Sequence, residues 1–428
     1  MDNNFFDNHD ESKAPKKTYV VISLVILVVI AIIIAVIFVT LTLKPEDGNN
    51  ISSSAESLIT SDEDESEQSQ SISLDGSESQ SESENSEVSF EMSETSEISE
   101  ETSDLSVVPS EDNSSSEDTT ELEHGFVINA YGYTYVYYGQ GFEQFNGVKR
   151  HAENYAAALN KLKTALGDGI NMYSMVVPTS VQFAEIPRDI YSADDFYNTS
   201  QKSYSAMVNA ALNGITDIDA FSALADHAGE YLYFKTDKNW TALAAYYAYA
   251  KFASTVGSAP ISLDAFPTGK IDVYLGAFYT ATMSNKMKNS PDYIEYSLMD
   301  TVFPCNVTMY NKGLTYKNRS LIYTNLSSPI SYGYYTFLGG TGERFEIVST
   351  SVTNGKKILV LGDASAFPFV PYLAADYSEI YFCNIENYSG DIAQYAAEKG
   401  VSDVVVMSYA TNTVRNDYLS KLSSLVTE

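Results

Sequence analysis

The sequence predicts an α/β fold with a largely parallel sheet and helices on both faces. Three apolar segments carry this prediction, namely Lys357 to Asp363, Glu379 to Phe382 and Val401 to Met407. Each is short, apolar and rich in the residues that favour buried strands. A helical segment from Ile392 to Lys399 lies between the last two. Strands that alternate with helices are typical of parallel sheets, because a helix usually makes the crossover between parallel strands.

The elements before residue 357 follow from their apolar spacing and from the residues that end them. Glu153 to Leu166 has apolar residues at helical spacing and a glycine after it, which predicts a helix. Tyr173 to Val177 predicts a buried strand that stops at a proline. Another helix is predicted from about Thr241 to Phe252, after the single tryptophan. Two aromatic and β-branched segments predict strands, Phe126 to Ile128 and Tyr131 to Tyr138.

The end of the strand that begins at Lys357 is the expected place for a functional site. In open α/β sheets, ligands bind outside the carboxyl ends of the strands. This strand runs into the small, polar segment Gly362-Asp363-Ala364-Ser365. We therefore expect Asp363 and the residues after it to lie at the functional edge of the sheet.

A long apolar run near the N-terminus predicts a membrane anchor. Tyr19 to Leu43 is uncharged, and a helix of about 25 residues covers the ~30 Å hydrocarbon core. A cleaved signal peptide is the alternative, but its apolar region is usually only about 7–15 residues and ends at small residues. Lys13, Lys16 and Lys17 precede the run. The positive-inside rule therefore places residues 1–18 in the cytoplasm, residues 19–43 in the cell membrane and the rest outside the cell.

Residues 44–123 predict a disordered, acidic, Ser/Glu-rich stalk. The chain has a formal net charge of −32, and much of it lies between Glu46 and Glu123. Such a segment buries too little apolar surface to offset the entropy cost of ordering. A solvated spacer is the simplest role, and a tether through an anionic wall or a cation-binding segment is the alternative. The acidity also argues against a nucleic-acid partner.

The external domain, residues 124–428, contains both cysteines and three of the four histidines. Cys305 and Cys383 allow one disulfide in an oxidising compartment, or two separate thiols. The histidines are scattered, and none has a ligand partner three or four residues away. The sequence therefore predicts neither a metal site nor a cofactor.

Several short blocks between about residues 126 and 415 carry a family resemblance. They are Tyr173 to Pro178, Tyr231 to Trp240, Tyr274 to Tyr279, Ser290 to Asp292, Phe337 to Thr341 and Lys357 to Leu373. In this order they resemble the DHHW family of bacterial surface proteins. That family is similar to the SGNH hydrolases and to the O-acetyltransferase-like proteins of alginate modification. The resemblance implies an SGNH-like domain on the cell surface.

The resemblance also implies where a catalytic site would lie, and the chain departs from the family pattern there. In serine acyl transfer a serine attacks, a histidine removes its proton, and an aspartate two residues earlier orients the ring. The matching positions hold Ala364 for the serine, Asn239 for the histidine and Thr341 for the oxyanion asparagine, while Lys238 replaces the other motif histidine. An alanine lacks a nucleophile and an amide is not a base near neutral pH. The implied site is therefore degenerate.

Three residues keep the family identity, namely Asp237, Trp240 and Gly276. Asp237 is interpreted as structural, either capping the helix that follows or pairing with Lys238. Trp240 is expected in the core rather than as a platform for a ligand.

An active site rebuilt around Ser365 is the alternative. This serine lies one residue beyond the expected nucleophile, and a shift of one residue after a strand redirects a side chain. His227, ten residues before Asp237, would then serve as the base. The competing interpretations are a helix N-cap for Ser365 and an ordinary helix or loop position for His227.

The sequence favours a membrane-anchored cell-surface protein with a non-catalytic domain. Its expected partner is a cell-surface polysaccharide or a membrane acyltransferase of the kind that resembling proteins work beside. An esterase or O-acetyltransferase that acts on surface polysaccharide through Ser365 is the alternative. A third hypothesis is a structural surface protein whose stalk gives the domain its reach.

Overall fold

The computed structural model describes residues 122–129 and 132–426. Its strands form one eight-stranded, one three-stranded and one two-stranded sheet. In chain order the strands are β1 (His124–Asn129), β2 (Gly132–Tyr137), β3 (Gln140–Phe142), β4 (Asn171–Val177), β5 (Thr216–Asp217), β6 (Thr268–Tyr274), β7 (Asp292–Ser297), β8 (Cys305–Asn311), β9 (Leu314–Arg319), β10 (Arg344–Ser349), β11 (Lys357–Gly362), β12 (Glu379–Asn384) and β13 (Asp403–Tyr409).

The eight-stranded sheet has the order β5-β4-β13-β11-β12-β10-β8-β9. Neighbours from β5 to β12 are parallel, and neighbours from β12 to β9 are antiparallel. The prediction of a largely parallel sheet is corrected to a mixed sheet. One cause of the antiparallel pairing is the β8–β9 hairpin. Its two turn residues, Lys312 and Gly313, both have positive φ. A turn this short joins only antiparallel strands.

Helices pack on both faces of this sheet, as the sequence predicts. Side chains alternate between the faces along a strand. Ile358 and Val360 of β11 join one buried cluster, and Leu359 and Leu361 join the other. In chain order the α-helices of the described region are α1 (Lys149–Leu166), α2 (Arg188–Ala193), α3 (Gln201–Ala211), α4 (Ala220–Ala225), α5 (Ala242–Thr255), α6 (Ala277–Thr282), α7 (Asn285–Asn289), α8 (Met299–Val302), α9 (Pro329–Tyr332), α10 (Ala366–Phe369), α11 (Ile392–Lys399), α12 (Ala410–Thr413) and α13 (Asn416–Ser424).

Most predicted elements appear within a few residues of their expected bounds, and α11 matches its prediction at both ends. The predicted N-terminal strands correspond to β1 and β2, which pair in the separate three-stranded sheet. Within the described ranges, no helix combines the length and apolar character that a membrane span needs. The predicted span at Tyr19 to Leu43 lies outside those ranges, as does the predicted stalk up to residue 121.

The two cysteines are free thiols. They lie on strands either side of β10, with Cys305 opposite Ser349 and Cys383 opposite Arg344. Their partners are five residues apart on one strand, which is about 17 Å at the rise of a β-strand. A disulfide needs Cα atoms within about 7 Å. Of the two alternatives, the structure therefore supports separate thiols.

Candidate functional site

A cleft of about 460 Å³ lies at the carboxyl end of β11. Its volume is within the usual range for small-molecule sites. Five positions of the family resemblance line it, namely Asp237, Asn239, Gly276, Thr341 and Ala364. The fold therefore brings together side chains that are far apart along the chain. Other residues that line it include Tyr133, Glu143, Lys238, Tyr274, Ala277, Ser331, Tyr332, Tyr334, Tyr335 and Phe367.

Asp237 is held by three donors and supports the wall of the cleft. Its Oδ1 accepts the backbone N–H of Asn239 at 2.7 Å. Its Oδ2 accepts the hydroxyl of Tyr274 at 2.8 Å and the backbone N–H of Ala277 at 2.8 Å. Burial raises the pKa of Tyr274 well above its ordinary value, so this phenol stays a proton donor.

Of the two structural roles predicted for Asp237, the capping of the helix that follows is corrected, whereas the predicted pairing with Lys238 agrees with the raised pKa of Lys238, to which the charge of Asp237 contributes. The helix that follows it, α5, is capped by Thr241, whose Oγ1 accepts the backbone N–H of Ala244. Asp237 instead accepts the first backbone N–H of α6, at Ala277. It therefore ties the loop before α5 to the start of α6, which follows β6 much later in the chain.

Gly276 is required by the packing of Asp237. A β-carbon at this position would lie 2.1 Å from Oδ2 of Asp237, closer than any van der Waals contact. The backbone N–H of Gly276 donates to Oγ1 of Thr236 at 3.1 Å. This N–H is therefore already hydrogen-bonded inside the protein. Glycine is required at this position by packing, independently of catalysis.

Asp292 holds the loop that precedes Asp237, through hydrogen bonds to Lys235 and Thr236. It was not predicted as a site residue. Its carboxylate is 2% exposed and accepts the backbone N–H groups of Lys235 and Thr236 at 3.0 and 2.7 Å. It also accepts the hydroxyls of Thr236 and Tyr231. Sequence reasoning found it only as part of the family block Ser290 to Asp292, since a buried carboxylate gives no local pattern.

Ser365 lies directly after Ala364, but its hydroxyl does not face the cleft. The residue is fully buried, and its Oγ donates to Oδ1 of Asp363 at 2.6 Å. The backbone N–H of Ser365 donates to the same oxygen at 2.9 Å. Ser365 occupies the N-cap position of α10, as the alternative interpretation expects, but its side chain makes no capping hydrogen bond to that helix. The hydroxyl instead closes a short loop on the aspartate two residues earlier.

Asp363 fixes the edge of the sheet through its second oxygen. Oδ2 accepts the backbone N–H of Tyr409 at 2.8 Å and the side-chain amide of Asn412 at 2.7 Å. The residue is 1% exposed. Asp363 follows the carboxyl end of β11, as predicted, and its carboxylate joins the ends of β11 and β13 there.

His227 belongs to a different part of the surface. Its ring stacks on Tyr247 with centroids 3.5 Å apart, and its Nδ1 lies 2.6 Å from Oε1 of Glu230. It does not line the cleft, and neither do the other histidines of the described region. The structure therefore gives Ser365 no histidine base. No group of three or more His, Cys, Asp or Glu in the described ranges could hold a metal ion.

Trp240 is a core residue, as the sequence predicts. It is fully buried, and its indole N–H donates to the carbonyl of Ser365 at 3.1 Å. Its backbone N–H donates to the hydroxyl of Tyr409 at 3.0 Å. These bonds join the loop that carries Asn239 to the loop that carries Ala364, so the two positions face one cleft.

A lysine and a glutamate, Lys238 and Glu143, both line the cleft. The charge of Glu143 raises the pKa of Lys238, and burial raises the pKa of Glu143. Oε2 of Glu143 also accepts the hydroxyl of Thr411 at 3.3 Å. Lys238 is therefore an ammonium at neutral pH and not a base. Glu143 was missed from the sequence, because it lies in the loop after β3 and far from every family block.

Exposed tyrosines form the rim of the cleft. Tyr332 and Tyr335 stack with ring centroids 5.5 Å apart and are 53% and 37% exposed. Tyr133 of β2 is 72% exposed and also lines the cleft. Apolar rings exposed to water beside a cleft are a common feature of ligand sites.

Residues 49–383 match the family model described as DHHW protein. A crystal structure of a DHHW family protein from Eubacterium siraeum is similar to this chain, with 24% identity and a TM-score of 0.62 over 72% of this chain and 99% of that one. The structure of Bacillus cereus PatB1 with a sulfonyl adduct has 16% identity and a TM-score of 0.55, over 67% and 96%. At these identities the likeness shows the fold alone. None of the curated proteins matches the chain.

Proposed function

The chain belongs to the DHHW family, and we propose that it presents a non-catalytic, glycan-binding domain at the cell surface. One observation carries the proposal. The cleft is fully formed, yet Ala364 and Asn239 line it where the family resemblance expects a nucleophile and a base. A retained cleft without acyl-transfer groups favours binding over turnover.

The rim supports a glycan as the ligand. A pyranose ring has an apolar face that packs on aromatic rings, and its hydroxyls need polar partners nearby. Tyr332 and Tyr335 offer stacked, exposed rings. Ser331 and Thr341 line the same cleft and are exposed, so hydroxyl groups stand beside the aromatic surface.

The place of the domain in the cell is part of the proposal. The apolar run from Tyr19 to Leu43 would anchor the chain in the cell membrane with the N-terminus in the cytoplasm. The acidic residues 44–123 would hold the domain away from the bilayer. Protease treatment of intact cells tests this: cleavage should release the domain, and full protection would contradict an external location.

Two other functions remain open to test. A membrane acyltransferase is the alternative partner, and the exposed tyrosines would then contact protein. Catalysis through Ser365 is the alternative activity, but its hydroxyl is buried on Asp363. No observation on the described residues supplies the base that it would need.

The first experiment measures binding of the purified full chain to surface polysaccharide by affinity electrophoresis. The wild-type chain should be retarded, and the double variant Tyr332→Ala/Tyr335→Ala should migrate nearly as it does without glycan. Tyr197→Ala is the matched control, because Tyr197 is 62% exposed but lies outside the cleft. Equal mobility with and without every surface glycan would contradict the proposal. Co-purification of an acyltransferase, lost in the double variant, would favour the alternative partner.

A further inference from the structure

A second pocket, of about 310 Å³, lies beside the cleft. The strand β3 leads from one to the other, because Gln140 and Phe142 line the second pocket and the next residue, Glu143, lines the cleft. The segment after α4 does the same, with Tyr231 to Tyr233 in the second pocket and Asp237 to Asn239 in the cleft. The two sites are therefore built from the same two stretches of chain.

The two sites are close enough for one extended ligand to contact both. Glu143 is three positions after Gln140, so their Cα atoms lie within about 10 Å of each other. The backbone N–H of Gly141 donates to the carbonyl of Lys235 at 2.9 Å, which joins the two stretches between the sites. Lys235 is exposed, so the ridge that separates the sites reaches the surface, where a ligand can cross it.

The second pocket presents hydrogen-bonding groups that the protein does not use. The side-chain amide of Gln140, the phenol of Tyr137 and the carboxylate of Glu185 line it, and none of them has a hydrogen-bond partner among the described residues. Glu185 is exposed, and the polar atoms of Tyr137 and Gln140 keep contact with solvent. A ligand in the pocket can therefore reach all three groups. Together they supply both donors and acceptors.

Aromatic rings form the apolar part of the second pocket. Phe183 and Tyr233 line it, are half-buried and stack with ring centroids 5.8 Å apart. The hydroxyl of Tyr233 donates to the carbonyl of Pro178 at 2.6 Å, which fixes this ring. A pyranose ring has apolar C–H faces and hydroxyls at its edge. Fixed aromatic rings beside amide and carboxylate groups therefore suit a sugar.

The charge of the second pocket disfavours an anionic ligand. Glu185 and Glu230 both line it, and no lysine or arginine of the described ranges does. Glu230 is already engaged by Tyr247 and His227, which leaves the carboxylate of Glu185 to accept hydroxyl groups of a ligand. An acidic sugar would be repelled by both carboxylates.

We infer that the second pocket is a further subsite for the polysaccharide that the cleft binds, and that it takes uncharged sugar units. One chain would cross the ridge at Lys235 and occupy both sites, so the domain would bind a stretch of several sugars. Joining two contacts in one ligand raises affinity, because the second contact becomes intramolecular. The inference rests on the proposed glycan-binding function and adds to it a subsite, a ligand length and a charge.

Fragments of different length test the inference. The surface polysaccharide that retards the full chain in affinity electrophoresis is partially hydrolysed, and its disaccharide and decasaccharide fractions are titrated by calorimetry. The decasaccharide should bind at least thirtyfold more tightly, which exceeds what the additional binding registers of a longer chain supply. A smaller difference would overturn the inference and leave glycan binding in the cleft standing. Retardation by no surface polysaccharide would overturn both this inference and the proposed function.

Two double variants separate the subsites. Gln140→Ala/Glu185→Ala should weaken the decasaccharide at least tenfold and leave the disaccharide and the thermal midpoint unchanged, because neither side chain has a hydrogen-bond partner in the described region. Tyr332→Ala/Tyr335→Ala should weaken both fragments. Gln394→Ala, an exposed position on α11, is the control and should bind as wild type does.

The outcome for Gln140→Ala/Glu185→Ala decides the assignment of the second pocket. An unchanged affinity for the decasaccharide would overturn it, as would an equal loss for the two fragments. Raising the salt concentration tests the charge. The affinity of wild type for the decasaccharide should change less than twofold, and a steep fall would contradict an uncharged ligand.

Discussion

Gly276 and Asp237 are in such close contact that the carboxylate occupies the space of a side chain at position 276. A β-carbon there would lie 2.1 Å from Oδ2 and 2.2 Å from the β-carbon of Asp237. The φ of Gly276 is −90°, which any residue adopts, so the demand for glycine is steric. The family identity at both positions is explained by packing, whether or not chemistry takes place.

Gly276→Ala should therefore lower the free energy of unfolding by about 1–3 kcal/mol, the usual cost of overpacking. Denaturant unfolding of the two chains measures the difference. Gly169→Ala is the control, because a β-carbon there meets nothing within 4 Å, and its effect should stay within about 0.5 kcal/mol. Equal stability of Gly276→Ala and wild type would show that the contact relaxes freely.

Ser365→Ala should reduce stability and leave hydrolysis unchanged. The hydroxyl donates to a buried carboxylate, and a hydrogen bond to a charged group contributes about 1.5–3 kcal/mol. Ser420→Ala, on the exposed face of α13, is the control and should have almost no effect. p-Nitrophenyl acetate turnover should equal buffer background in wild type, Ser365→Ala and Asp237→Ala. A rate lost in both variants would instead establish a site rebuilt around Ser365.

Restoring the nucleophile and the base should restore reactivity. Ala364→Ser alone should not react with a sulfonyl fluoride, because no histidine of the described region lines the cleft. Ala364→Ser/Asn239→His should become labelled, since Asp237 still stands two residues before position 239 to orient the ring. Mass spectrometry of the labelled peptide is the measurement. Failure of the double variant, with its fold intact by circular dichroism, would mean that the remaining site geometry no longer supports catalysis.

Asp217 predicts a pH dependence of stability. Burial and the charge of Asp219 raise the pKa of Asp217 to about 6 from 3.8, and its Oδ1 has no hydrogen-bond partner among the described residues. The folded state thus holds the proton more tightly than the unfolded state. This contribution is complete below about pH 4 and is lost as the pH rises through about 6.

Asp217→Asn should not lose stability as the pH rises through about 6, because an asparagine does not titrate. Unfolding curves at pH 4, 5, 6 and 7 should show the variant gaining stability relative to wild type mainly between pH 4 and 6, with a constant difference above. A difference that does not change with pH would contradict the raised pKa.

Tyr332→Ala should weaken glycan binding by about two- to tenfold, the range expected for one aromatic contact of 0.5–1.5 kcal/mol. Titration with the glycan identified in the mobility experiment measures the change. Tyr197→Ala should bind as wild type does. Equal losses in the two variants would point to a general surface effect instead of a platform at the cleft.

Local patterns in the sequence predict the elements of this fold better than their arrangement. The strand at Lys357 and the helix at Ile392 follow from short-range spacing, and both appear as predicted. The antiparallel half of the sheet was missed because β9 is exposed along most of its length and carries no alternating apolar pattern. Pairing between distant strands leaves no local signal of its own.

In the site, too, the sequence predicts some residues and misses those whose role depends on distant parts of the chain. The resemblance places Asn239 and Ala364 in one cleft, and the structure agrees. It includes Asp292 in a family block but assigns it no role, because that role depends on backbone groups 56 and 57 residues earlier in the chain. Nor does it identify Glu143, which reaches the cleft only through the fold of β3. Buried carboxylates that hold loops together become visible only when their donors are located.

The separated thiols have a consequence for how the protein is made. Burial raises the pKa of Cys305 to about 11 and that of Cys383 further, so both remain protonated and react slowly with oxidants. The chain has no other cysteine. The native state of this domain therefore contains no disulfide, and its folding does not depend on enzymes that form disulfides. We expect it to fold in a reducing cytosol, and reductants should leave its melting temperature unchanged.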